Sequence, residues 1–177
     1  MTQKADIVIC GAGISGIAAA YFLSKAGIQN ILLLDERPPL SLTSDRSTEC
    51  YRNWWPDAEM LALMNCSIDL MEVVADESGN VFQMNRRGYL YVTADEGKIV
   101  DLEHASRETA SLGAGPLRVH SSASLYYEPS PSEGFRDQPA AADLLLGSTL
   151  IQKYFPYLTD RAVAAFHIRR VGWLSAQ

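Results

Sequence analysis

Two kinds of apolar spacing divide this chain. Between Asp6 and Asp35 the apolar residues form short unbroken runs, Ile7-Val8-Ile9-Cys10 first and Ile31-Leu32-Leu33-Leu34 last. Such runs suit strands buried on both faces of a parallel sheet, which predicts a small core role for Cys10. Between them, Ala18 to Leu23 continue a helix that has Lys25 in its last turn and Gly27 where a left-handed residue is wanted. Farther on the spacing becomes three or four. Met60, Leu61, Met64, Ile68, Met71 and Val74 predict an amphipathic helix over 57–77, capped by Asp57, with the methionines facing a core.

The remaining segments carry weaker patterns. Glu36 to Pro56 is rich in prolines and hydroxyl residues and reads as a long loop, either functional or a solvated Ser/Thr turn. Val81 to Met84 and Gly88 to Thr93 look like two strands of a hairpin, with Arg86 and Arg87 at its solvated end. A helix is expected over Ile99–Leu112 and a strand over Leu117–His120. Ser121 to Pro139 reads as an exposed loop, and Ala140–Leu146 and Ser148–Phe155 as two short helical pieces.

The turn between the first strand and the first helix is Gly11-Ala12-Gly13-Ile14-Ser15-Gly16. If its ligand is a dinucleotide, each glycine has a reason. Gly11 permits the tight turn, Gly13 lets the backbone approach a pyrophosphate, and Gly16 lets helix and strand pack closely. The pyrophosphate would meet the free N–H groups at the helix N-terminus. Asp35 closes the second strand about 20 residues on, the distance at which a carboxylate reaches an adenosine ribose and disfavours a 2′-phosphate. Three glycines alone are only a turn; strand, helix, second strand and terminal acid in register make a dinucleotide fingerprint.

Composition narrows the class without changing it. The 177 residues are 47% apolar and 20% charged, as in an ordinary globular protein. A net charge of −6 disfavours nucleic acid as a partner. The apolar runs break well before the ~18 residues a membrane span needs, and Asp6 with the three glycines argues against a signal-peptide core. Cys10, Cys50 and Cys66 lack metal spacing and point to a reducing cytoplasm. His104, His120 and His167 form no local ligand pattern and read as structural or surface histidines, so no metal site is expected. A nicotinamide dehydrogenase would repeat strand–helix–strand after Asp35, whereas here a long loop and a methionine-rich helix intervene.

The segments DIVICGAGISGIAAAYFLSKAG with ILLLDE, LTSDRST, RRGYLYVTADEG and KYFPYLTDRAVAAFHIRRVGWLSA resemble the FAD-dependent oxidoreductases of the D-amino-acid oxidase, glycine oxidase and sarcosine oxidase type. The resemblance implies an α/β fold: a Rossmann-like FAD-binding βαβ domain over 1–56, then over 57–177 the incomplete beginning of a mixed α+β substrate domain. It implies FAD as cofactor. Gly11, Gly13 and Gly16 would meet the FAD pyrophosphate within a loop completed by Ala12, Ile14 and Ser15. Asp35, followed by Glu36 and Arg37, would meet the ribose, and Arg46, Ser47 and Thr48 would lie beside the flavin phosphates. Many relatives carry Glu where this chain has Asp35, and the shorter acid still reaches a ribose.

The implied chemistry is hydride transfer from a C–H beside an amine nitrogen to the flavin, with a small amine or amino acid as substrate. Members of this family are longer, so the resemblance also implies an N-terminal piece that is inactive alone. No catalytic residue is named. Tyr89 and Tyr91 are candidates for the substrate side, or core or surface tyrosines. The alternative reading is a non-catalytic dinucleotide-binding module or an inactive truncated product, because no acid, base or nucleophile constellation stands out.

Overall fold

The structure is a computed structural model that describes residues 4–121 and 126–175. The chain separates into two compact units, one running through Thr48 and one from Glu49 to Ser175. In the first, strand β1 (Ile7–Cys10), helix α1 (Ile14–Lys25) and strand β2 (Ile31–Leu34) form a parallel βαβ unit. Ile7 pairs with Ile31 and Cys10 with Leu34.

The two strands are not buried on both faces as their sequence predicts. Burial alternates along β1, leaving Val8 53% and Leu34 48% exposed, and Cys10 is exposed rather than a core residue. The reason is the layer count. Within this unit two strands carry one helix, and that helix contacts the Ile9 side of the pair, so only one face is covered.

In the second unit β3 (Cys50–Arg52) precedes α2 (Ala58–Ser78), β4 (Tyr89–Thr93) and α3 (Lys98–Thr109), which runs into a π-turn at Ala110–Ala114. Then come β5 (Leu117–His120), β6 (Ala142–Leu146), α4 (Ser148–Tyr154), β7 (Ala164–Ile168) and β8 (Val171–Trp173). A four-stranded mixed sheet has the order β4-β7-β6-β5, with β5 and β6 parallel and the other pairs antiparallel. One of its faces, built on Leu144, Phe166 and Ile168, packs against Ile99 and Leu102 of α3 and against Trp54. The other receives Leu150 and Ile151 of α4 together with Tyr127. Among the described residues no helix is long and apolar enough to cross a membrane.

Several local expectations are corrected. Residues 36–56 are not loop throughout, because β3 pairs antiparallel with β8, Tyr51 opposite Gly172. That partner lies far along the chain and leaves no local signal. Val81–Met84 is not a strand: the Asn80 side chain accepts from Met84 N–H at 2.8 Å and donates to Met84 O at 3.0 Å, closing a local loop that competes with a ladder. Gln83 accordingly has φ +53 and Val81 is 72% exposed. Arg86 is buried, not solvated, and β4 pairs with β7 instead of forming a hairpin.

Helix α2 matches its prediction, with the Asp57 carboxylate accepting from Met60 N–H at 2.7 Å, but it buries Leu61, Ile68 and Ala75 while Met60 is exposed. Ala142–Leu146 is strand rather than helix. Its Ala and Leu residues carry helical propensity, and burial on both faces in the middle of the sheet overrides it. In the segment read as an exposed loop, residues 126–139 are irregular, yet Tyr127 and Phe135 are buried. Its residues 122–125 lie outside the described ones.

Candidate functional site

Each of the three glycines after β1 has a different structural standing. Gly11 leaves the strand with φ +108, a conformation that costs a glycine little, and its N–H bonds Leu34 O at 2.7 Å. Gly16 is required by packing: a Cβ there would sit 1.9 Å from Gly11 O. Gly13 is required by neither. Its φ is −75 and a Cβ would meet nothing within 4 Å, so the space beside it is open.

Gly13 is also the N-cap of α1, and it supplies no side-chain cap; the first turn holds no acid. The Ile14 N–H bonds Ser44 Oγ at 3.3 Å, and the amides of Ser15 and Gly16 have no acceptor within the helix. Those groups and the positive end of the helix favour an anion.

Asp35 ends β2 and turns its carboxylate back onto the glycine turn. Oδ2 accepts the Ala12 N–H at 2.7 Å and Oδ1 the Arg37 N–H at 2.9 Å. The hydrogen bond from Ala12, then that from Arg37, holds its pKa below the usual carboxylate value. Both oxygens keep lone pairs that a hydroxyl donor could use.

Ala12, Gly13, Asp35 and Arg37 come together in one cleft of about 200 Å³, which Pro38 and residues 40–44 also line. The Leu40 N–H bonds Ala12 O at 2.9 Å and Leu40 itself has φ +61. Arg46 and Ser47, with Leu42 and Thr43, line a second and wider hollow of about 450 Å³. Gly11, Ile14, Ser15, Gly16, Glu36 and Thr48 line neither; Glu36 instead pairs with Arg37 at 3.2 Å on the surface. Sequence reasoning passed over Pro38, Leu40, Ser41 and Leu42 as cleft residues. The signal was their position directly after the acid that closes β2.

In the second unit, Tyr89 and Tyr91 stand on one face of β4 with ring centroids 5.2 Å apart, both partly exposed. Tyr91 Oη accepts from Arg52 Nη1 at 2.8 Å, and the Arg52 guanidinium lies over the Trp55 ring at 4.2 Å.

The opposite face of the sheet holds a buried polar network. Asp143 receives Arg118 Nε and Nη2 at 2.6 and 2.8 Å, His120 Nε2 at 2.7 Å, and Arg169. Burial pushes its carboxyl up, but hydrogen bonds from Arg118, His120 and Arg169 outweigh that and hold it at about 2. His167 Nε2 lies 3.0 Å from Arg87 O, which can only accept, so Nε2 carries the proton. Its Nδ1 then accepts from Tyr127 O–H at 2.7 Å. Burial, followed by the Arg169 charge, lowers the His167 pKa to about 4. These groups are paired with one another, and among the described residues no cluster of His, Cys, Asp or Glu could hold a metal.

Comparison with known proteins shows a shared fold. L-proline dehydrogenase from P. horikoshii superposes with a TM-score of 0.70 at 19% identity, over 99% of this chain and 39% of its own. Glycine oxidase from Geobacillus kaustophilus gives 0.70 at 18%, over 99% of this chain and 42% of its own. Mitochondrial dimethylglycine dehydrogenase of Rattus norvegicus is 22% identical over 107 residues, 60% of this chain and 12% of that protein. This chain therefore spans well under half the length of the proteins it matches. The profile of the DAO family, FAD dependent oxidoreductase, matches residues 6–175, and the chain belongs to that family, whose cofactor is FAD.

Proposed function

We propose that this chain carries the ADP end of an FAD site in an oxidoreductase that acts on C–N bonds of amines or amino acids. The observation that carries the cofactor reading is Gly13. Nothing in the chain's own backbone or packing demands glycine there, and the space a side chain would fill adjoins helix amides that have no acceptor within the helix. In this reading Gly11, Ala12, Gly13, Ile14, Ser15 and Gly16 receive the pyrophosphate. Asp35, with Glu36 and Arg37 after it, meets the adenosine ribose, and Arg46, Ser47 and Thr48 lie toward the flavin phosphates. Bound FAD supplies a hydride acceptor.

The substrate class is supported by the relatives' names, since proline, glycine and dimethylglycine each join an amine nitrogen to a carboxylate. It is further supported by Arg52. This cation stands on an aromatic face with Tyr91 and Trp55, an arrangement suited to orienting a carboxylate beside apolar substituents. The test is direct. Purified protein should show a thermal shift with FAD or ADP and visible flavin absorbance after loading; no shift and no flavin would sink the reading.

A further inference from the structure

Arg52 differs from its neighbours in the second unit by lacking an acid. Arg86, Arg118, Arg169 and Arg170 each pair with a carboxylate, whereas the partly buried Arg52 pairs with none among the described residues. Its guanidinium makes two uncharged contacts instead: Nη1 donates to Tyr91 Oη at 2.8 Å, and the group lies over the Trp55 ring at 4.2 Å. Resting on the reading that Arg52 orients the substrate carboxylate, we propose that Tyr91 is the positioning residue that selects the edge of Arg52 on which it docks. By occupying Nη1, the phenol presents the Nε–Nη2 edge, and both carboxylate oxygens are received there.

The presented edge is free. Among the described residues Nε and Nη2 of Arg52 have no hydrogen-bond partner, and unlike Nε and Nη2 of Arg86 they are not sealed from solvent. A phenol and an indole leave the guanidinium charge unbalanced, so an anion from outside completes the group. Tyr91 can select the edge because it is itself held. It pairs with Phe166 across β4 and β7, and its ring centroid lies 5.2 Å from that of Tyr89 and 6.4 Å from that of Phe166. Arg52 is fixed at its base as well, since it pairs with Val171 and its carbonyl accepts from Trp55 Nε1 at 3.2 Å. A long side chain restrained at both ends loses less rotamer freedom when its ligand arrives. The chain displays the resulting fork on the other face of its sheet, where Arg118 grips Asp143 through Nε and Nη2 at 2.6 and 2.8 Å. The ligand that fits such an edge is a planar anion with two oxygens; the matching amide offers one acceptor and no charge.

The test uses the 177-residue chain with dimethylglycine as the probe and its amide as the control. Heteronuclear NMR reads the Arg52 Nε–H signal directly. In the wild type that signal should shift and saturate with dimethylglycine and stay in place with the amide. Tyr91→Phe keeps the ring beside Tyr89 and Phe166 and removes the acceptor alone. It should weaken dimethylglycine binding about three- to tenfold, and the separate Nη1 and Nη2 signals of Arg52 should merge as the guanidinium begins to rotate. Trp55→Phe, which loosens Arg52 from its other side, should weaken binding about two- to fivefold. A wild type that binds dimethylglycine, with either variant at wild-type affinity, would overturn the positioning role alone. No shift in the wild type, or equal shifts with the acid and the amide, would overturn the reading of Arg52 as a carboxylate receptor and the role of Tyr91 with it.

Discussion

The carboxylate of Asp35 accepts the backbone N–H of Ala12 at 2.7 Å, so the acid that closes β2 also holds the turn that follows β1. Asp35→Ala should therefore loosen the glycine turn even without ligand. Amide exchange at Ala12 should rise in the free protein, and FAD affinity should fall about tenfold or more. Because hydrogen bonding lowers the Asp35 pKa below 3.8, the contact is present above that value and is lost only as the pH falls through the lowered one. Unchanged exchange at Ala12 in Asp35→Ala would show that the turn holds itself.

Gly13 and Gly16 should respond oppositely to alanine. Gly16→Ala places a methyl 1.9 Å from Gly11 O and should destabilise the βαβ unit by several kcal/mol, on the order of other severe overpacking changes. Gly13→Ala meets nothing and should leave stability within about 1 kcal/mol, while FAD binding weakens because the methyl enters the pyrophosphate space. Urea midpoints and FAD titrations on both variants separate the two effects. Equal FAD affinity in Gly13→Ala and wild type would contradict the phosphate-loop role.

His167 gives the second unit a pH dependence of definite sign. The unfolded chain takes up a proton near 6.5 and the folded protein only near 4, so stability is full above about 6.5 and declines as the pH falls toward 4. The loss should be on the order of 3 kcal/mol. In His167→Gln the decline across this window should flatten; a wild-type slope retained in that variant would assign it to another group.

Asp143→Asn should be among the most damaging substitutions, because it leaves the buried Arg169 guanidinium and its neighbour Arg118 without their carboxylate. A loss of about 3–5 kcal/mol is expected. Denaturant unfolding of the variant measures it, and a loss below about 1 kcal/mol would mean that water replaces the carboxylate.

Local chemistry was the legible part of this chain. The βαβ unit, helix α2 with its Asp57 cap, β5 and α4 could be read because caps, glycines and spacing act within a few residues. What escaped depends on partners distant in sequence. The pairing of β3 with β8, the strand state of Ala142–Leu146 and the burial of Arg86 are all set by neighbours that the local pattern does not announce. The same holds at the site. Gly13, Asp35 and the turn they share follow from the fingerprint, whereas the Asp35–Ala12 bond, Leu40 and the Ser44 contact with Ile14 arise from how the loop folds back. Arg52 beside Tyr91 was equally silent, since 39 positions separate them.

The polar row on the mixed sheet acts as a proofreader of strand alignment. Arg118, Asp143 and His167 are direct cross-strand partners on one face, while Leu144 and Phe166, one position away, are partners on the other. A slip of β6 by one residue would turn Asp143 toward the aromatic and aliphatic face and strand it without a cation, as well as sending Leu144 toward two arginines. Apolar strands tolerate misalignment because one leucine replaces another at little cost. A single carboxylate in a central strand removes that tolerance for a slip of one residue.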